Sequence, residues 1–277
     1  ANWTASPRTT SASILLGWTA RTCLGLAIAT LVFGNLLLWR LARRELALVR
    51  LRRDFVDIVS HELRTPLTAL SLKAEMLAHG DVPDARLPHY LRSMHGDVRR
   101  LTEQVERILD FGRLERGTRL QREIVPVRSF LARGLRAGRP ALRLVGQQLE
   151  VEAPRSLPAI AADVEVLARA LRNLLENAAK YAPHGSRVAV RAFASAGTVT
   201  VEVADTGPGV TPAERRAIFQ PFVRASAASP DIQGSGLGLA LVEAAAKAHG
   251  GKVDVRERAG GGAVFTLTLP IAKENVS

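Results

Sequence analysis

The sequence predicts an α plus α/β protein: a transmembrane helix, a helical hairpin that pairs into a dimeric four-helix bundle, then an α/β sandwich. Three observations carry that reading. Residues 22–39, TCLGLAIATLVFGNLLLW, contain no charge. Apolar residues then recur at alternating three- and four-residue spacing through two segments separated by a glycine and a proline. Beyond residue 127, period-two segments interleave with helical ones around glycine turns.

At 277 residues the chain has room for two domains and an appendage, and 47% hydrophobic with 23% charged residues fits a folded protein. A single cysteine, Cys23, excludes a disulfide framework and a cysteine-rich zinc site, and fits a reducing compartment. The formal charge of +12 admits nucleic acid, an anionic membrane or an acidic partner. No zinc-finger spacing, RNA-binding signature or aromatic-interleaved basic stripe is present, which argues against nucleic acid.

Because the chain starts at Ala1 rather than methionine, it reads as a fragment, with 1–13 the remnant of an extracytoplasmic part. Residues 14–39 are the expected transmembrane helix, although Arg21 interrupts them. The uncharged run alone makes about 27 Å of helix, against roughly 30 Å of hydrocarbon. A signal peptide would place its basic residues first. Here Arg40, Arg43, Arg44, Arg50, Arg52 and Arg53 follow, marking that end as cytoplasmic. A buried core helix is the alternative. Residues 40–54 continue as a juxtamembrane helix.

The hairpin is expected at 55–116. Val56, Val59, Leu63, Leu70 and Leu77 form one stripe, and Leu87, Leu91, Met94, Val98, Leu101, Val105 and Ile108 the other, with the turn at His79-Gly80-Asp81-Val82-Pro83. A hairpin buries such a seam poorly alone, so a homodimer is expected. A basic linker spans 117–126, the α/β domain 127–272, and a tail 273–277. Strands are expected at 187–193, 198–204, 252–256 and 263–269, and helices at 163–180 and 237–249.

Three constellations could carry chemistry. On the helix capped by Asp163, Asn173, Asn177 and Lys180 fall at i, i+4 and i+7, away from the Leu167–Leu171–Leu174 stripe. Two carboxamides and an ammonium suit a magnesium–triphosphate complex; a solvated polar face reads the same way. A valine-rich strand ends in Asp205-Thr206-Gly207-Pro208-Gly209, where a carboxylate can accept from an exocyclic amine, as an ordinary turn also could. Gly234-Ser235-Gly236-Leu237-Gly238 opens a helix whose N-terminal N–H groups suit phosphate. It lacks the context of a dinucleotide fingerprint, and neither a P-loop nor the HRD and DFG motifs occur.

In this order, with Ile218-Phe219-Gln220-Pro221-Phe222 between the second and third, the segments resemble the N, G1, F and G2 boxes of bacterial two-component sensor histidine kinases. These belong to the Bergerat ATP-binding fold shared with gyrase and the mismatch-repair ATPases. The string FVDIVSHELRTPLTAL at 55–70 resembles the H box. The resemblance implies autophosphorylation of His61 by ATP with Mg2+, transfer to an aspartate of a response regulator, and dephosphorylation of that regulator. It makes Glu62 the base for the imidazole proton and Thr65 the residue that positions water. Asn177 would bind magnesium, Asn173 and Lys180 approach the phosphates, Asp205 hold the adenine amine and Tyr181 border the base. Gly207, Gly209, Gly234, Gly236, Leu237 and Gly238 belong to the nucleotide-binding loops. Residues 211–233 would be a mobile lid anchored by Phe219 and Phe222, with Arg224 reaching the γ-phosphate. Neutral imidazole is a competent nucleophile near pH 7. An ATP hydrolase of the same fold would need a base four residues before Asn177, where Asn173 stands. A catalytically dead scaffold would have lost residues that are all present here.

Overall fold

The structure is a computed structural model that describes residues 25, 30–40, 42–43, 59–60, 63–83, 85–115, 120–226 and 236–272. The chain divides into two units, 1–57 and 58–277.

In the first unit residues 30–40 are helical. Asn35 Nδ2 donates to the Leu31 carbonyl one turn back at 3.2 Å, and the Arg43 guanidinium lies 3.6 Å over the Trp39 ring. Among the described residues no helix is long and apolar enough to cross a membrane. Most of the expected span at 14–39, all of 1–13 and most of 40–54 lie outside the described residues.

The second unit begins with the hairpin. Helix α1 covers residues 63–78 and α2 covers Leu87–Glu115. The turn places Gly80 at φ +75°, a conformation glycine adopts without steric cost. The helices meet through polar groups as well as apolar ones: Lys73 Nζ donates to Asp97 Oδ2 at 2.5 Å and to Ser93 Oγ at 2.8 Å, and Tyr90 OH reaches Met76 Sδ. The α2 seam divides. Leu87, Met94, Leu101 and Ile108 are half-buried, whereas Leu91, Val98 and Val105 stay exposed on the neighbouring stripe, as do Leu67 and Leu72 of α1.

The α/β part starts inside the expected linker. Strand β1 (Glu123–Pro126) pairs antiparallel with β3 (Ala159–Ala162). A five-stranded sheet runs in the order β2 (Gln148–Glu152), β4 (Arg187–Ser195), β5 (Thr198–Ala204), β7 (Ala263–Pro270), β6 (Lys252–Glu257). Only β2 and β4 are parallel. Period-two alternation puts one row of side chains across four strands into the core: Val190, Val203, Phe265 and Val255 are register partners in turn, and all are buried.

Helices α3 (Val127–Leu144), α4 (Val164–Tyr181) and α5 (Gly238–Ala248) share that core. Leu171, Leu174 and Leu175 of α4 are fully buried, each worth about 1.5–3 kcal/mol of transfer free energy. Helix α3 approaches α4 through Gly134 and Gly138. A Cβ at Gly134 would sit 2.9 Å from Leu171 Cβ, and one at Gly138 2.8 Å from Leu175 Cβ. The two glycines therefore set how closely these helices pack.

Candidate functional site

The N-terminus of α4 is fixed twice. Asp163 Oδ1 accepts from the N–H groups of Glu165 and Val166 at 3.2 Å, the N-cap read from the sequence. His249 Nε2 accepts the Asp163 N–H at 3.0 Å while its Nδ1 lies 2.7 Å from the Ala245 carbonyl, tying the end of α5 to the start of α4. With the leucines of α4 committed to the core, Asn173, Asn177, Lys180 and Tyr181 line a cleft of about 920 Å³ measured out to its mouth.

The other walls come from far along the chain. Asp205 and Gly209 follow β5, Arg224 follows the short 3-10 turn Ala217–Phe219, Gly236 and Gly238 open α5, and Phe265 lies on β7. A Cβ on Gly238 would sit 3.8 Å from the Oδ1 atoms of both Asn173 and Asn177. The glycine start of one helix thus faces the carboxamides of the other. Main-chain N–H groups in a first helical turn have no intrahelical acceptor, so this end of the cleft offers donors and positive dipole to an anion.

Asp205 forms another part of the wall. Its Oδ1 accepts from the Gly207 N–H at 2.8 Å and the Ala263 N–H at 3.4 Å, which fixes the carboxylate plane. Burial pushes the Asp205 carboxyl above its ordinary range, against the pull of those two N–H groups and of Arg258. At the cationic end, burial and then the Arg107 guanidinium push the Lys180 ammonium down, opposed by Glu176. The cleft therefore carries both a buried carboxylate and a cluster of cations.

Some expected residues act behind the walls. Leu237 is buried, and Phe219 is buried edge-on to Phe265 with ring centroids 6.5 Å apart. Phe222 holds φ +65°, and its N–H donates to the Gly236 carbonyl at 3.2 Å. A Cβ on Gly236, itself at φ +68°, would lie 2.7 Å from Phe222 Cα, so only glycine fits there. Gly207 serves through its N–H to Asp205. Within the expected lid, Glu214 accepts from Thr211 Oγ1, Ser226 N and Ser226 Oγ, and these bonds hold its carboxyl down at about 2. Thr65 lies on α1 and does not line the cleft. His61, Glu62, Gly234 and the rest of the lid at 227–233 lie outside the described residues.

Two families match the chain: "Histidine kinase-, DNA gyrase B-, and HSP90-like ATPase" over residues 162–273, and "His Kinase A (phospho-acceptor) domain" over 51–117. The second match sits on the hairpin and the first on the domain that carries the cleft. The chain belongs to the bacterial two-component sensor histidine kinases. The kinase is 33% identical over 231 residues to the sensor-like histidine kinase SenX3 of Mycobacterium tuberculosis, a match covering 83% of this chain and 55% of that protein. It spans about half the length, or less, of the curated relatives it matches. Among solved structures, full-length ShkA in complex with AMPPNP aligns at a TM-score of 0.60 and 31% identity, covering 79% of the kinase and 46% of that chain. ThkA in complex with the response regulator TrrA aligns at 0.60 and 22% identity over 78% of the kinase and 61% of that chain, a likeness of fold.

Two polar residues of the cleft were not expected from sequence. Glu176 adjoins Asn177 on α4, and its carboxylate is held by Arg107 Nη2 at 2.8 Å and Arg172 Nε at 3.4 Å. Arg107 arrives from α2 of the hairpin, 69 residues before its partner, and nothing in the local sequence marks it.

Proposed function

We propose that the protein is a membrane-tethered, homodimeric sensor histidine kinase that phosphorylates its own His61 from Mg2+-ATP and passes the phosphoryl group to an aspartate of a response regulator. The observation that carries the reading is the convergence of Asn173 and Asn177, the α5 start at Gly238, and the buried Asp205 on one cleft. On this reading residues 55–116 are the phosphoacceptor hairpin and 127–272 the ATP domain.

Asp205 accepts from the adenine amine, with Tyr181 along the base. The first-turn N–H groups at Gly238 and the Lys180 ammonium draw the phosphates, and Arg224 reaches toward the terminal one. Among the described residues no three His, Cys, Asp or Glu side chains gather as a metal site. The Asn177 carboxamide oxygen suits Mg2+, which keeps water and phosphate oxygens as its other ligands and would neutralise phosphate charge. The His61 imidazole nitrogen attacks the γ-phosphorus, the bond to the bridging oxygen breaks, ADP leaves, and Glu62 takes up the imidazole proton.

The exposed stripe Leu91, Val98 and Val105 on α2 supports dimerisation, because a second hairpin would cover it. The charge-free run 22–39 followed by arginines supports a membrane tether. The structural likeness to a kinase caught with its response regulator supports a partner of that kind; docking on the hairpin would bring it to Thr65, which would position water for dephosphorylation.

The test is incubation with Mg2+ and γ-labelled ATP beside His61→Gln and Asn177→Ala. Label that is stable in base, labile in acid and absent from both variants is the expected result. Phosphate release without labelling would favour a hydrolase. Asn173 cannot serve as its base, and Glu176, held between two guanidiniums, is poorly placed to.

A further inference from the structure

The cleft's cationic end is not made by the ATP domain alone. Arg107 lines it beside Asn173, Asn177 and Lys180, yet it belongs to hairpin helix α2. Its side chain is 16% exposed, and one of its donors, Nη2, engages Glu176 Oε2 at 2.8 Å. Its Nε is buried with no acceptor among the described residues. A guanidinium carries five donors in a planar fork that matches phosphate oxygens, so one carboxylate contact leaves most of it unused.

The cations gather here as well: Arg107, Lys180 and Arg224 all line this part of the cleft, near enough that Arg107 and Arg224 both act on the Lys180 charge. Grouped cations of this kind favour an incoming anion. A second tie, Asp110 Oδ2 to Arg169 Nε at 3.3 Å, also joins α2 to α4 one turn beyond Arg107, so the guanidinium is presented by a docked helix.

We propose that Arg107 is a phosphate-binding residue of the cleft, supplied by the hairpin, so that the site for the terminal phosphates of ATP is complete only while α2 lies against α4. The inference rests on the proposed kinase function and adds a substrate-binding residue outside the ATP domain. It has a reciprocal consequence. If docking of α2 strengthens ATP binding, ATP strengthens docking by the same factor. ADP, which lacks the third phosphate, couples less. Loss of the γ-phosphoryl group would then loosen the ATP domain from the hairpin after each transfer. A purely structural Arg107 would hold α2 to α4 and favour no nucleotide over another.

The experiment measures dissociation constants of the whole chain for ATP, ADP and AMP with Mg2+, in the unmutated protein, Arg107→Ala and Arg107→Lys. Loss of a charge-assisted contact predicts a rise of about tenfold in Kd for ATP with Arg107→Ala. The change for ADP should be distinctly smaller, and negligible for AMP. Arg107→Lys keeps the charge and stem but loses the fork, and should fall between. Asp110→Asn weakens the second tie without touching the cleft and should reduce ATP affinity in the same direction. Equal losses for all three nucleotides would assign Arg107 a structural role only, and unchanged ATP affinity in both Arg107 variants would also overturn the inference. No ATP binding by the unmutated chain would overturn the kinase reading with it; normal ATP binding without an ATP-selective loss overturns this inference alone.

Discussion

Replacing Asp205 by asparagine separates what this side chain does for the fold from what it does for a ligand. Its Oδ1 holds the Gly207 and Ala263 N–H groups at 2.8 and 3.4 Å. Asparagine keeps an acceptor in that place but exchanges the second oxygen for a donor. An adenine amine facing that second atom would lose a charge-assisted hydrogen bond of about 1.5–3 kcal/mol. Nucleotide affinity should therefore fall by roughly 10- to 150-fold. The fold should not suffer. Burial raises the Asp205 pKa, so its contribution to stability is full below the unfolded-state value and is lost as pH rises through the folded-state value. Ionising the buried carboxyl is a cost, which asparagine removes. Asp205→Ala instead leaves both N–H groups without their acceptor, at about 1–3 kcal/mol each. Thermal melts of nucleotide-free protein and titrations with a fluorescent adenine nucleotide read the two effects. An Asp205→Asn protein that melts as low as Asp205→Ala, or that binds nucleotide with unchanged affinity, would contradict this division of roles.

Packing and pH give further expectations. Gly138→Ala should destabilise the α/β domain by about 1–3 kcal/mol in denaturant titration, since the new methyl meets Leu175. His249 is held neutral: burial, and then Arg122, push it below 6.5, opposed by the Ala245 carbonyl and Asp163. A depressed folded-state pKa means stability that is present above 6.5 and lost as pH falls below it, so chemical denaturation midpoints should drop from pH 7 to pH 5.5. His249→Gln should flatten that slope even if it lowers the plateau. Lys73→Met should weaken the hairpin by about 1–2 kcal/mol, with Arg100, 2.5 Å from Asp97, limiting the loss; a larger effect would mean that Asp97 depends on Lys73 alone.

The sheet was legible because its strands alternate. Val199, Val201 and Val203 point one way in β5, and 198–204 holds to the residue. Helix α4 was legible because its leucines repeat at helical spacing behind an aspartate cap. Helix α3 was not, because Gly134, Gly138 and Pro140 break the sequence pattern of a helix. Its glycines are there for α4, a tertiary reason that local propensity does not encode. Strands β1, β2 and β3, four or five residues each, are too short to show a period. The single apolar seam expected along α2 became two stripes: Leu87, Met94, Leu101 and Ile108 are half-buried, while Leu91, Val98 and Val105 are exposed.

In the site, residues that present a side chain to the cleft from one helix or one turn could be found from spacing: Asn173, Asn177, Lys180 and Asp205. Phe222 and Leu237 were expected at the nucleotide from their motifs, yet Leu237 is buried and Phe222 bonds to Gly236 through the backbone. Arg107 was out of reach, since only the docking of α2 on α4 brings it to the cleft.

Phosphorylation of His61 by ATP can be read by mass-spectrometric mapping of the chain after incubation with Mg2+-ATP and digestion under alkaline conditions. We expect one added phosphoryl group on the peptide that contains His61, lost on brief acid treatment and missing from Asn177→Ala. A phosphoryl group on a serine, threonine or other histidine, or ATP consumed with no phosphopeptide at all, would contradict it.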